Sequence, residues 1–364
     1  MKIHVNRQVL YEAVQIVNGI LPTRSPKPIL QNLKLIVSAE KRCLLATDLE
    51  IGISFNLDSV EVMEEGEVLI PARELSEILR ENQDERIHIE SDNNNVIIST
   101  DRSEFKMLSE ETSEFPEIPS FDEPNSFKLP ADVMLKLISR VTFAVASEPT
   151  RYAINGVLMD LNKSIITMVS TDGKRLAFAK DTIENKDKIT LNVIASTKGL
   201  NFISKIIDDS NEIRIQSANN QLIFNTPRAT LVTLMVEGHF PNYEEVIPKH
   251  LSEQSEIDRR QLESNLRQAR LMTTDESKAV RLHFTDNCLT ITSRAPEKGE
   301  SKIEMDVKYN GKEMEVGFDP RYLLDGLKVV ASKNAEIQFK DANNPAMLVE
   351  GKDFIYVIMP ISLG

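Results

Sequence analysis

Apolar and polar residues alternate through much of this chain with the period of two that marks half-buried β-strands. One such pattern occurs three times: Ile87-His88-Ile89-Glu90-Ser91-Asp92-Asn93-Asn94-Asn95-Val96-Ile97-Ile98, Ile213-Arg214-Ile215-Gln216-Ser217-Ala218-Asn219-Asn220-Gln221-Leu222-Ile223-Phe224 and Ile337-Gln338-Phe339-Lys340-Asp341-Ala342-Asn343-Asn344-Pro345-Ala346-Met347-Leu348, starting 126 and then 124 residues apart. Each copy alternates, turns at an Asn-Asn pair that tolerates left-handed backbone, and returns as a second apolar strand, so each predicts a β-hairpin. Chance supplies one such hairpin easily, but hardly three at one period.

Other anchors keep the spacing. Thr47-Asp48 and Thr171-Asp172 lie 124 residues apart, as do Ile70-Pro71 and Ile194-Ala195, and Ser293 follows the matching strand of the last third. The period of the apolar positions predicts a helix near the start of each third, over 7–17, 131–140 and 259–270, and a second one over 72–82, 197–206 and 320–332. About eight short strands rich in Val, Ile, Leu and Thr surround each pair. A unit of this length is too long for a solenoid repeat, so the copies are domains. Pro-containing polar stretches place the boundaries at 1–123, 124–246 and 247–364. The expected class is α+β, three repeated domains, each with two helices covering antiparallel sheet.

The central stretch Ser170-Thr171-Asp172-Gly173-Lys174-Arg175-Leu176-Ala177 follows an apolar run, Ile165 to Val169, that reads as a buried strand. Its Asp-Gly step predicts a tight reversal with Gly173 at positive φ. Lys174 and Arg175 are then expected at a sheet rim beside apolar Leu176, although solvated hairpin charges are the plainer reading of the octapeptide alone.

A chain of 364 residues with 41% hydrophobic content exceeds one core. It has no apolar run of 18 residues, and Met1-Lys2-Ile3-His4-Val5 opens directly into a strand pattern. With only Cys43 and Cys288, each opening an apolar strand, a soluble cytoplasmic protein with buried thiols is expected. Net charge is −13, but the thirds carry −12, +1 and −2. The four helices predicted in the second and third domains, the last taken through Lys333, hold eleven basic residues against three acidic ones. Basic helices in an acidic protein suit loose, sequence-independent contact with nucleic acid phosphates, or simply solvated faces.

No phosphate-binding loop, dinucleotide fingerprint, zincin motif or nucleophile elbow occurs, and the five histidines are scattered. No metal or cofactor is expected. Ser103-x-x-Lys106 has an acyl-enzyme spacing without its companion motifs. Asp48 and Asp172 are the carboxylates on which a metal-dependent nuclease or phosphatase would rest, but they occupy equivalent turns of different repeats. A scaffold that never meets DNA is the third reading.

The residues resemble those of the bacterial DNA polymerase III beta subunit, or sliding clamp, family. The likeness runs the whole length: Met1-Lys2-Ile3, Pro28-Ile29-Leu30, Thr47-Asp48-Leu49-Glu50, Ile70-Pro71-Ala72-Arg73, Arg151-Tyr152 with Asn155-Gly156, Thr171-Asp172-Gly173 with Arg175-Leu176-Ala177, Phe240-Pro241 with Tyr243, Gly317-Phe318 and Tyr356-Val357-Ile358-Met359-Pro360. It implies the DNA clamp fold, closed as a head-to-tail homodimer into a six-domain ring around duplex DNA. It also implies a non-catalytic processivity factor that tethers the polymerase III alpha subunit, the clamp loader, other polymerases and repair proteins through short apolar peptides.

By motif position the implied peptide pocket comprises Ile154, Thr171, Gly173, Lys174, Arg175, Leu176, Pro241, Val246, Tyr322, Asn343, Pro345, Val357, Ile358, Met359, Pro360, Ile361 and Leu363. The implied DNA contacts are Arg24, Arg73, Tyr152 and Lys198. The implied dimer contact sets Phe105 and Met107, near Glu74 and Ile78, against Leu271 and Met272 of the other subunit. The chain departs from family habit at Lys174, Ser362, Ala153 and the extra Gly364, which bears on fine specificity.

Overall fold

A computed structural model describes residues 1–22, 24–92, 94–148, 153–207 and 212–363. Tyr152 lies outside the described residues.

The first repeat runs β1 (Lys2–Asn6), α1 (Arg7–Asn18), β2 (Asn32–Val37), β3 (Arg42–Thr47), β4 (Ile51–Asn56), β5 (Glu61–Glu64), β6 (Gly66–Pro71), α2 (Ala72–Glu81), β7 (Arg86–Asp92), β8 (Asn95–Ser99) and β9 (Glu104–Leu108). The second runs β10 (Ser126–Pro130), α3 (Ala131–Val141), β11 (Gly156–Asn162), β12 (Ile165–Thr171), β13 (Arg175–Thr182), β14 (Leu191–Ser196), α4 (Thr197–Ile206), β15 (Glu212–Ala218), β16 (Gln221–Asn225) and β17 (Ala229–Leu234). The third runs β18 (Glu253–Asp258), α5 (Arg259–Arg270), β19 (Val280–Thr285), β20 (Cys288–Ala295), β21 (Gly299–Asp306), β22 (Met314–Phe318), α6 (Pro320–Val329), β23 (Asn334–Phe339), β24 (Ala346–Glu350) and β25 (Phe354–Ile358).

The helices start where side chains can take up the free amides of a first turn. Asn6 accepts from the amides of Gln8 and Val9 at α1, Asp258 from Gln261 at α5, and Asp319 from Arg321 at α6. Leu10, Ala13, Val14 and Val17 form the buried stripe of α1. The pattern-based reading carries the last helix to 332, but α6 ends at Val329. Beyond it the amides of Ala331 and Ser332 donate to the Glu350 carboxylate instead of to helical carbonyls.

Every sheet pairing is antiparallel, and the repeat is visible in the strand order. Each repeat builds one four-strand set, β6-β2-β3-β4, β14-β11-β12-β13 or β22-β19-β20-β21. Each also builds a second set, β1-β7-β8-β9 (with β5 added outside β1), β10-β15-β16-β17 or β18-β23-β24-β25. Four of these sets fuse in pairs across repeats: β17 pairs with β4, and β13 pairs with β25, giving two eight-stranded sheets. As a result, packing gathers the chain into two compact units, Met1–Asp132 with Glu184–Ile189 and Lys198–Met235, and Val133–Ile183 with Thr190–Thr197 and Val236–Gly364.

Some local expectations are corrected. Asn219 and Asn220 do take left-handed backbone, at φ 49 and 62, but Asn343 and Asn344 do not. There the turn is held by Asp341, whose carboxylate accepts from both asparagine amides. Ile165 is 46% exposed because it begins its strand at a hairpin, and Cys288, also next to a hairpin, is only half-buried. Among the described residues no helix is long and apolar enough to cross a membrane.

Candidate partner-binding and nucleic-acid sites

The two Thr-Asp turns are built alike. Thr171 Oγ1 donates to the Arg175 carbonyl and accepts from the Gly173 amide, while Asp172 Oδ1 accepts from the amides of Lys174 and Arg175. Thr47 and Asp48 make the same four bonds with Ile51, Leu49 and Glu50. The aspartates are therefore turn-formers, and among the described residues no group of three or more His, Cys, Asp or Glu could hold a metal.

Gly173 sits at φ 84 with nothing within 4 Å of the place a Cβ would occupy, so the turn leaves open space above it. The chain's C-terminal strand closes against this turn: β25 pairs with β13, setting Leu176 opposite Val357 and Arg175 opposite Ile358, and the Met359 amide donates to the Lys174 carbonyl at 2.9 Å. Leu176 and Val357 are almost fully buried, packed with Leu158, Val169, Met347 and Val349 and flanked by Phe178, Phe240 and Tyr243. Burial also pushes the Tyr243 phenol up. Above this floor Gly173, Lys174, Val246 and Met359 are exposed, the last two at 47% and 42%, with Pro241, Pro360 and Tyr322 half-buried. Ile154 and Ile358 are buried, Asn343 is exposed in the β23–β24 turn, and Pro345 immediately precedes β24. The tail then leaves the turn: Ile361 bonds to Gly317 and Leu363 packs on that glycine, because any side chain at 317 would collide with it.

Arg175 is not the rim cation expected from the sequence. It points inward, with 11% of its side chain exposed, donating to Asp172 at 3.0 Å, Asp325 at 2.8 Å and the Phe143 carbonyl at 2.7 Å, and its guanidinium stacks 4.5 Å from the Tyr322 ring. Burial disfavours its charge, but Tyr356, Asp325 and Asp172 more than offset this and raise its pKa. Tyr356, itself raised by burial, donates to the Tyr322 carbonyl. Arg175 thus fastens β13 to α6 beneath the apolar floor, with Lys174 left as the exposed cation. The spacing within the octapeptide carries no signal of Asp325, which comes from another repeat.

The proposed DNA-facing cations are also partly engaged. Arg24 is exposed in the segment after α1. Arg73, second residue of α2, is 83% exposed and pairs with Glu77 at 3.1 Å. Lys198, second residue of α4, pairs with Asp48 and lies 3.8 Å from Glu50. Arg140, counted among the helix cations, is buried against Glu350 and the Phe354 ring, so it is unavailable to a phosphate.

Three family models match in tandem: DNA polymerase III beta subunit N-terminal domain over residues 1–119, central domain over 128–242 and C-terminal domain over 244–362. The chain belongs to the DNA polymerase III beta subunit family. Beta sliding clamps of Pseudomonas aeruginosa and Chlamydia pneumoniae are both 28% identical over the whole of this chain and over 100% and 99% of theirs. Among solved structures, the Bacillus subtilis DNA polymerase sliding clamp superposes with a TM-score of 0.95 at 25% identity, and a P. aeruginosa clamp bound to griselimycin with 0.94 at 28%, each covering both chains fully. The chain accordingly functions as a DNA sliding clamp, a processivity factor without catalytic activity of its own.

Against that family reading, the remaining candidates lie on strand edges and helix ends. Phe105 is 39% exposed and Met107 half-buried on β9, an edge strand. Glu74 and Ile78 lie on α2, exposed and half-buried. Leu271, the residue capping α5, is 67% exposed beside half-buried Met272. Apolar side chains are thus exposed on the edge strand β9 and at the C-terminal end of α5.

Proposed function

We propose that two copies of this chain close head to tail into a six-domain ring around duplex DNA, with repeats bounded at 1–123, 124–246 and 247–364, and act in the cytoplasm. The carrying observation is the strand order. In two places the last strand of one four-strand set pairs with the last strand of another repeat's set, β17 with β4 and β25 with β13. The third members of these series, β9 and β21, are left as edges, and an unpaired edge is a template for another strand.

The register follows from the repeat. Ser170 and Ser293 are equivalent, each donating from Oγ to the last-turn carbonyl of its repeat's first helix. Ser170 faces Ala177, which faces Tyr356, which faces Leu348. The corresponding residues are Ser293 facing Ser301 on one edge and Ile98 facing Phe105 on the other. Phe105 then meets Ser301 of the second copy, Lys106 meets Glu300, and Glu104 meets Lys302: an apolar side chain over a small one, flanked by two opposite-charge pairs. Leu271 and Met272 supply apolar cover, with Glu74 and Ile78 beside Phe105 and Met107.

Arg24, Arg73, Tyr152 and Lys198 contact the DNA backbone without reading sequence. The apolar floor at Leu176 and Val357, roofed by Val246, Met359 and Pro360 with Lys174 at its edge, takes a short apolar peptide of the polymerase III alpha subunit, the clamp loader and other polymerases or repair proteins. A ring holds its track by topology, and tethering raises the polymerase's effective concentration at the primer end. The test is retention on nicked circular DNA after loading: the protein stays bound and is lost on linearising the circle. Equal loss from circle and line would contradict encirclement.

A further inference from the structure

We infer that the sheet joined at β13 and β25 carries a subsite for the basic flank of a partner peptide, in a cavity of about 670 Å³ that continues the apolar floor. This rests on the peptide reading above and gives the bound chain a polarity. Two rows of side chains cross the floor's face of the sheet, fixed by its register. Over β13, β25, β24, β23 and β18 in turn, one row is Leu176, Val357, Met347, Gln338 and Gln254, and the other is Phe178, Ile355, Val349, Glu336 and Glu256. Both rows change at the same step, from apolar on β24 to polar on β23. Val349 stands at that step. It belongs to the buried cluster of Leu176 and Val357, and it also lines the cavity, together with Gln254, Glu256, Lys308, Asn334 and Glu336. The floor therefore runs into the cavity without a break.

The charges at the polar end do not balance. Glu256 and Glu336 stand directly opposite each other on β18 and β23, an arrangement that is unfavourable for like charges. Glu256 is compensated. Lys308 pairs with it at 2.9 Å and Asn334 donates to it, and these bonds hold its pKa below the ordinary value, so it stays anionic. Among the described residues Glu336 has no such cation and accepts from the Gln338 carboxamide, at 2.6 Å. Two carboxylates against one lysine leave a net negative charge where the apolar track ends, and a lysine or arginine of a bound chain completes the count. Exposed Gln254 offers a donor and an acceptor to the backbone of that chain. Neighbouring strands lie about 4.8 Å apart, so Glu336 is about 10 Å across the sheet from β25, a span of about three extended residues. The occupant is thus a short peptide with an apolar anchor and, about three to five residues from it, Lys or Arg.

The test titrates the full-length protein calorimetrically with the short apolar peptide of the polymerase III alpha subunit, alone and extended at either end by Gly-Ser-Gly-Lys-Lys or Gly-Ser-Gly-Gln-Gln. The expected result is that the lysine extension at one end, and not at the other, binds about five-fold tighter than its glutamine counterpart at low salt. That gain should disappear in about 0.5 M salt. Glu336→Gln should abolish it while leaving the affinity for the unextended peptide unchanged, and Glu90→Gln, on β7 of the first repeat, should leave it intact. A gain that survives Glu336→Gln, is equally lost in Glu90→Gln, or is the same from both ends would reflect attraction to the −13 chain as a whole and overturn the subsite. Equal affinity of all extended peptides would overturn it too, with the apolar floor left standing. If the unextended peptide fails to bind, or binds Met359→Asp as tightly as wild type, the peptide reading itself falls and takes the subsite with it.

Discussion

At the scale of single residues, the two Thr-Asp turns show what one φ angle costs. Gly173 takes φ 84 freely, whereas its equivalent Leu49 is held at φ 77 with its side chain 46% exposed. A branched L-residue in that region is strained by about 1–2 kcal/mol, partly offset on replacement by glycine's greater unfolded-state freedom. Leu49→Gly should therefore stabilise the first repeat by about 0.5–1 kcal/mol in urea titration. In the third repeat, Tyr309, packed between Phe284 and Phe339, offers a pH test. Its phenol, buried and next to Glu253, is pushed up to about 12. A folded-state pKa above the unfolded value near 10 contributes stability below pH 10 that disappears as pH rises through 12. Wild type and Tyr309→Phe should then differ most in denaturation midpoint below pH 10 and converge as pH rises through 12. At the pocket, Met359→Asp puts a charge where an apolar peptide side chain would sit, and a calorimetric titration with a partner peptide should show affinity at least about ten-fold lower with oligomeric state unchanged. The turn, its glycine and its apolar neighbour were legible in the octapeptide, because Asp-Gly and the flanking runs are local signals. The inward course of Arg175 was not, since Asp325, Phe143 and Tyr322 reach it only after folding.

At the scale of elements, six helices lie where the apolar period put them, because each carries a buried stripe and ends near a cap or a turn. The overshoot at α6 has a tertiary cause, the Glu350 carboxylate that captures the amides of Ala331 and Ser332. Likewise the Asn-Asn pairs marked the three hairpins, but only the context of Asp341 decided how the third one turns. The fusion of four-strand sets was not legible at all, since strand alternation says which face is buried and nothing about which strand lies alongside. That fusion makes the edges informative. Lys106→Glu would set two carboxylates opposite each other at both junctions, and sedimentation should show self-association weakened by about ten-fold or more, with Glu300→Lys in the same chain restoring it. Failure of the second change to rescue would mean a different register. Replacing Leu271 and Met272 by Asp should leave a particle of one 41.1 kDa chain by light scattering.

At the scale of the whole molecule, the −13 charge and the family's topology point the same way. Net repulsion from DNA, relieved only at the proposed contacts Arg24, Arg73 and Lys198, would favour confinement over grip. The central claim is that β9 of one copy pairs with β21 of the next, twice, so that the assembly closes. Cysteines at Lys106 and Glu300 of the same chain, oxidised under native conditions and run on a denaturing gel, test it most directly. Closure predicts one covalent product of two chains, formed in high yield and independent of protein concentration above the dimer's dissociation constant. A ladder of trimers and longer chains, or no cross-link while the single-cysteine controls behave identically, would contradict it.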